Sequence, residues 1–334
     1  MKNLSFALFS LYRGQLMGIA ILGVCVLHAL AWAGVEETLA TKVLSLIARV
    51  AFTEGFLFLS GFGLYYSFCK NGDVHSFYKK RIHRVLLPYM IMTAPFFLYR
   101  LIGGSNSLSE TLLKSSSLYF WFFGNDGMWY ISMSMALYFV FPFAYRFIFE
   151  NQEEREILSR TLLLVVVSIL GCYALYLFVP DYYDMVTIGI SKTPIFFIGM
   201  LFGHYALKQK AITLKQIFGG GILLCITFLL RNKSEFFFPY YQIAYRLLMM
   251  PLACVVLMLI KSEKIEAVLS WFGKYSLEIY VLQMLMIGMV DTVLKAVGFQ
   301  SDHYSAWLTL LTFGIILAVC MPVHKGIDRI TKNK

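Results

Sequence analysis

Two groups of residues in this chain have types and spacings that could do chemistry. The first is a set of polar side chains inside long apolar runs. His28 lies in LMGIAILGVCVLHAL, Arg49 and Glu54 in ARVAFTEGFLFLSGFGLYYS, and Glu278 and Gln283 in YSLEIYVLQ. Lys192 and His204 bracket the run TPIFFIGMLFG, and Arg246 opens another apolar run. Ionisable groups inside a bilayer are costly unless paired or wetted, so each is a functional candidate. Each also has a plainer reading. A membrane histidine can simply bond a neighbouring helix, Arg49 and Glu54 can pair across successive turns, and Lys192 and Arg246 can snorkel to an interface. His204 reads as interfacial, and Glu278 as lying near a watery rim. The second group is Arg81 and Arg84 in SFYKKRIHRVLLP. Three apart, they share a helical face, and two planar guanidinium forks suit a phosphate or pyrophosphate. The alternative is ordinary anchoring to anionic lipid.

The elements that position these residues follow from composition. The 334 residues are 59% hydrophobic, 17% aromatic and only 14% charged, with a mean hydropathy of +0.70. Soluble domains carry about 25% charged residues, so a water-facing globule, a disordered chain and a disulfide-rich module are excluded. The expected fold is an all-α polytopic membrane bundle forming a single domain over residues 1–334, with no appended soluble domain. About ten spans of close to ~20 residues each fall near 16–34, 43–67, 85–103, 128–146, 161–179, 192–207, 216–231, 245–261, 276–296 and 305–323. The sixth and seventh are short. The aromatic stretch YFWFFGN (119–125) suits a membrane interface.

The net charge of +10 sits in short blocks between spans rather than along one stripe, which points to cytoplasmic loops and away from nucleic acid. Most of the 29 Lys and Arg residues, Lys2 and Lys334 among them, fall on the N-terminal side of the spans. Both termini and the Arg81 loop are therefore expected in the cytoplasm, with Asp73 and Asp302 on opposite sides. Cys25, Cys69, Cys172, Cys225, Cys254 and Cys320 are isolated in sequence, with no metal-ligand spacing; neither a metal site nor a disulfide is expected.

At the Arg81 loop the sequence becomes specific. FYKKRIHRVLLPY resembles the Phe-Tyr-x-x-Arg-x-x-Arg segment, followed by proline, of the membrane acyltransferase 3 family. GFLFLSGFGLYYSF is similar to that family's second helix around Ser-Gly-Phe, and MGIAILGVCVLHA to its first helix, which ends in a histidine. MWYISMSMALYFVFP, TPIFFIGMLFG and GKYSLEIYVLQ resemble its Trp-containing fourth helix, its Pro-x-Phe-x-x-Gly helix and its Ser-Leu-Glu-x-Tyr segment. These resemblances run in the expected order from about residue 13 to 285. Two positions depart from the pattern. Met17 stands where the family has a basic residue eleven before the histidine, and Gln283 where many relatives have histidine.

The resemblance implies a ten-helix O-acyltransferase in a bacterial inner membrane. It moves an acyl group, commonly acetyl, from cytoplasmic acyl-CoA to a hydroxyl of a cell-surface carbohydrate, with no metal. It assigns His28 as the catalytic histidine and Arg81 and Arg84 as the acyl-CoA pair. Glu54 falls where an acidic partner of His28 is sought. Arg13, one turn before Met17 and on broadly the same side, can reach the same basic mouth. Two other readings stay open: a secondary transporter using Arg49, Glu54 and Glu278, and a non-catalytic relative.

Overall fold

A computed structural model describes residues 4–125, 127–296, 298 and 306–332. Asp302, Lys2 and Lys334 lie outside the described residues. Among the described residues the regular structure is all helical, apart from one isolated bridge between Ser5 and Ala211, with turns and short connections between the helices. Eight helical runs are long and apolar enough to cross a membrane, and Leu214–Leu230 and Ser276–Val290 are two shorter apolar helices. Together they occupy the ten positions read from the sequence, and the protein is an all-α polytopic membrane bundle. All six cysteines are free; Cys25, Cys172, Cys254 and Cys320 are buried, and Cys69 and Cys225 exposed.

Four spans differ from the expected bounds in ways that matter for the site. The third begins at Val74, so Arg81 and Arg84 lie on a helical run that continues to Ile102 and not in a loop before it. The second is broken. Leu39–Ala48 ends at Arg49, and Phe52–Asn71 begins afresh with Phe52 at φ +46, a left-handed conformation that bulky residues rarely adopt. The sixth is longer than its apolar pattern suggests, because Pro180–Ile190 continues through a turn at Ser191 and Lys192 into Thr193–Leu207. The eighth starts early, at Phe238. Lys192 and Arg246 are therefore in the interior of the bundle, not at its edge.

Glycines set the tightest crossings. Where Phe52–Asn71 meets Thr193–Leu207, a Cβ on Gly61 would stand 2.2 Å from the Phe196 carbonyl oxygen, and one on Gly199 2.2 Å from that of Phe58. The same reciprocity joins Arg13–Trp32 to Glu263–Lys274, where a Cβ on Gly18 would stand 2.0 Å from the Leu269 carbonyl oxygen and one on Gly273 2.1 Å from that of Gly14. With no hydrophobic drive between helices in lipid, association leans on such close backbone packing. The glycines of the Ser-Gly-Phe and Pro-x-Phe-x-x-Gly motifs are thus the contact points of one crossing.

Gly61→Ala or Gly199→Ala should force those two helices apart and cost about 1–3 kcal/mol, seen as a lower thermal-unfolding midpoint in detergent. Gly171→Ala, on a lipid-facing turn with open space around it, should leave the midpoint unchanged.

Candidate active site

The first span, Arg13–Trp32, carries Arg13, Met17, Val24 and His28 at steps of four, seven and four. At about 100° per residue these fall within roughly 60° of one another, on one stripe. A cavity of about 680 Å³ opens along it. Arg13, Met17 and Val24 form one wall, Thr53, Phe56 and Ser60 a second, and Tyr130, Ser134 and Tyr138 a third. One end is strongly polar, gathering Arg84, His83, Lys274, His324 and Asp328. His28 lies one turn beyond Val24, past the opposite end of the lined wall.

The three arginines singled out by the sequence converge at the polar end. Arg13, Arg81 and Arg84 lie within electrostatic reach of one another. Arg13 donates from Nη2 to the Leu59 carbonyl at 3.4 Å. It packs so closely over Gly63 that a Cβ there would be 2.6 Å from Nη2. Arg81 is half-buried with its guanidinium over the Phe77 ring at 5.5 Å, whereas Arg84 is exposed and lines the cavity. Directly after Arg81 the helix widens into a π turn over Ile82–Leu86, a feature often found at functional sites. The Nε groups of Arg13 and Arg81 are buried and make no hydrogen bond. Buried donors are rarely left unpaired, and an anion at this end would satisfy both while offsetting the mutual repulsion of three cations.

At the other end, the His28 ring stacks on Trp32, with centroids 6.3 Å apart and planes at 20°. Its Nδ1 is hydrogen-bonded by the Gln283 amide. Gln283 is fully buried, and its Oε1 accepts from the Cys25 thiol at 3.4 Å. The partner of His28 is thus the residue that departs from the family pattern.

Glu54 does not supply that contact. Its carboxylate meets Arg246 Nε at 3.3 Å and Lys192 Nζ at 3.7 Å, and accepts from the Thr53 hydroxyl at 3.4 Å. All three charged residues are buried, and Lys192 also lies 4.9 Å over the Trp129 ring and donates to the Ile188 carbonyl at 2.7 Å. The snorkelling expected of Lys192 and Arg246 is therefore replaced by a buried cluster of two cations and one anion. The expected Arg49–Glu54 pair is absent for the same structural reason, since Arg49 is exposed at the helix break. Glu278 pairs with His324 at 2.7 Å on the cavity wall. The three residues of the transporter reading thus occupy three separate settings.

His204 is buried within the protein in the last turn of Thr193–Leu207. Its Nδ1 meets the Tyr65 hydroxyl at 2.8 Å and its Nε2 meets Glu154 at 3.2 Å. Lys208 and Lys210 also grip Glu154. Among the described residues, no three His, Cys, Asp or Glu side chains gather where they could hold a metal ion. His83, Lys274, His324 and Asp328 were not singled out from the sequence. They come from three helical segments, His83 from the turn Ile82–Leu86, Lys274 from the end of Glu263–Lys274, and His324 and Asp328 one turn apart on Ala306–Lys332, and only the fold brings those segments to one mouth.

A helical membrane bundle enclosing a polar-ended cavity defines a polytopic membrane protein with an internal site. Its family is settled by comparison: the acyltransferase 3 family, described as an acyltransferase domain, matches residues 16–324. The chain belongs to that family and is a membrane acyltransferase. No curated protein and no solved structure matches it.

Glu54→Gln should leave Lys192 and Arg246 buried without their counter-ion, a loss of about 3–5 kcal/mol, visible as a sharp fall in thermal stability in detergent. Normal stability with a selective loss of turnover would instead make Glu54 a direct participant in the chemistry.

Proposed function

We propose that this protein transfers an acetyl group from cytoplasmic acetyl-CoA to a hydroxyl of a cell-surface carbohydrate or glycan precursor. It does so in a bacterial inner membrane, with both termini in the cytoplasm. The observation that carries the reading is the cavity itself, which runs from the arginine end along the stripe of the first span whose next member is His28. Arg13 and His28 are about 22 Å apart along the helix axis. That separation suits a donor with a polyanionic head, a long thin arm and a reactive thioester at its tip. Arg13, Arg81 and Arg84 grip the phosphates through charge-assisted hydrogen bonds, and the unpartnered Nε groups of Arg13 and Arg81 support that role.

At the far end, His28 is the general base. The acceptor O–H gives its proton to Nε2 as the oxygen attacks the thioester carbonyl. The C–O bond forms, the C–S bond breaks, and the departing CoA thiolate recovers the proton from Nε2. The carbohydrate class of the acceptor and the acetyl chain rest on the family resemblance. Glu54 contributes at one remove, as the shared counter-ion of the two cations packed beside the second span.

Arg81→Ala and Arg84→Ala should each weaken acetyl-CoA binding about 10- to 100-fold, the equivalent of about 1.5–3 kcal/mol for a charged hydrogen bond. Lys79→Ala should change it little. Equilibrium binding of labelled acetyl-CoA to purified protein measures this, and equal effects at all three positions would reduce the segment to a diffuse basic patch. Labelled acetate appearing in the surface glycans of cells that carry the protein, and not in cells that lack it, tests the overall reaction.

A further inference from the structure

Gln283 is fully buried between two side chains of the first span, Cys25 and His28, three residues apart and so on one face. As oriented, its NH₂ group points at His28 Nδ1 and its oxygen accepts from the Cys25 thiol. This orientation makes Nδ1 an acceptor, so the ring proton of the neutral imidazole must sit on Nε2. A base in that tautomer has no lone pair to offer at Nε2. A half-turn of the Gln283 amide exchanges its oxygen and nitrogen in place. Cys25 can serve either end, since a thiol donates to Oε1 in one orientation and its sulfur accepts from Nε2–H in the other.

The requirement becomes stricter during the reaction. When Nε2 takes the acceptor's proton, both ring nitrogens carry hydrogen, and a group facing Nδ1 must then accept. An amide NH₂ there would oppose the imidazolium, whereas an amide oxygen would stabilise it. The acid of a hydrolase triad does this work by fixing the tautomer and the ring orientation. Glu54, the acidic candidate, is held by Lys192 and Arg246 instead.

We propose that Gln283 is the positioning residue of this enzyme: in the working state its carbonyl accepts from His28 Nδ1–H, which leaves Nε2 free as the base, with Cys25 supporting the rotated amide. The inference rests on the reading of His28 as the base.

The test uses the full-length protein in lipid nanodiscs. ¹⁵N-histidine NMR reports the His28 tautomer, assigned by its loss in His28→Ala, and labelled acetyl-CoA with a membrane glycan fraction reports turnover. With acetyl-CoA bound, the wild type should show Nδ1 protonated and Nε2 bare. Gln283→Leu, of similar size but without the amide, should lose that tautomer and fall in kcat on the order of tenfold or more, with the Kd for acetyl-CoA unchanged. Gln283→Glu supplies only acceptor oxygens when ionised, and it should retain the tautomer and most of kcat. The proposal is overturned if the wild type holds the proton on Nε2 with donor bound, if Gln283→Leu keeps both tautomer and kcat, or if Gln283→Glu behaves like Gln283→Leu. The tautomer result decides it even if no preparation transfers acetyl, an outcome that would count against the proposed function alone.

Discussion

A polar path inside a lipid bilayer has to be walled by protein on every side, because lipid offers no partner for its charges and amides. Here the path is one stripe of the first span, Arg13, Met17, Val24 and His28, and much of the surrounding packing serves to enclose it. Helix Glu263–Lys274 crosses the lower part of that span through Gly18 and Gly273 at backbone contact. The second and sixth spans cross through Gly61 and Gly199 and so hold Thr53, Phe56 and Ser60 against the cavity. Larger residues at these crossings would separate the helices that form the walls.

The same constraint accounts for the Glu54 cluster. Two cations and a carboxylate buried together are poor evidence of stability, since desolvation offsets much of their attraction. Their arrangement ties three spans, the second, sixth and eighth, to one carboxylate. Removing the carboxylate leaves the two cations without a counter-charge in a medium that cannot screen them. The cluster therefore fixes the relative position of the helices beside the cavity.

Much of this was legible in the sequence. Hydropathy alone placed the ten helices, because span length and apolar run are set by the thickness of the bilayer. The Arg81–Arg84 spacing and the stripe from Arg13 to His28 were legible because helical periodicity is local. What was not legible depends on where helices begin and break. Lys192 and Arg246 each stood at the start of an apolar run, and a run does not show that Pro180–Ile190 continues the sixth span or that the eighth begins at Phe238. The break before Phe52 is likewise hidden within a continuous apolar pattern, so Arg49 and Glu54 seemed one turn apart when the fold separates them. The contact between His28 and Gln283 joins residues 255 positions apart, and no local pattern could announce it. Its only sign was a departure from the family's usual residue.

The central claim is that the stripe on the first span delivers an acyl donor to His28. The most direct measurement compares wild-type protein with His28→Ala, following both acetyl-CoA affinity and transfer of labelled acetyl to a membrane glycan fraction. The account predicts a stable His28→Ala protein that binds acetyl-CoA as the wild type does and transfers acetyl about 10²–10⁴-fold more slowly, the usual contribution of a general base. A stable His28→Ala protein that transfers acetyl at the wild-type rate would contradict it.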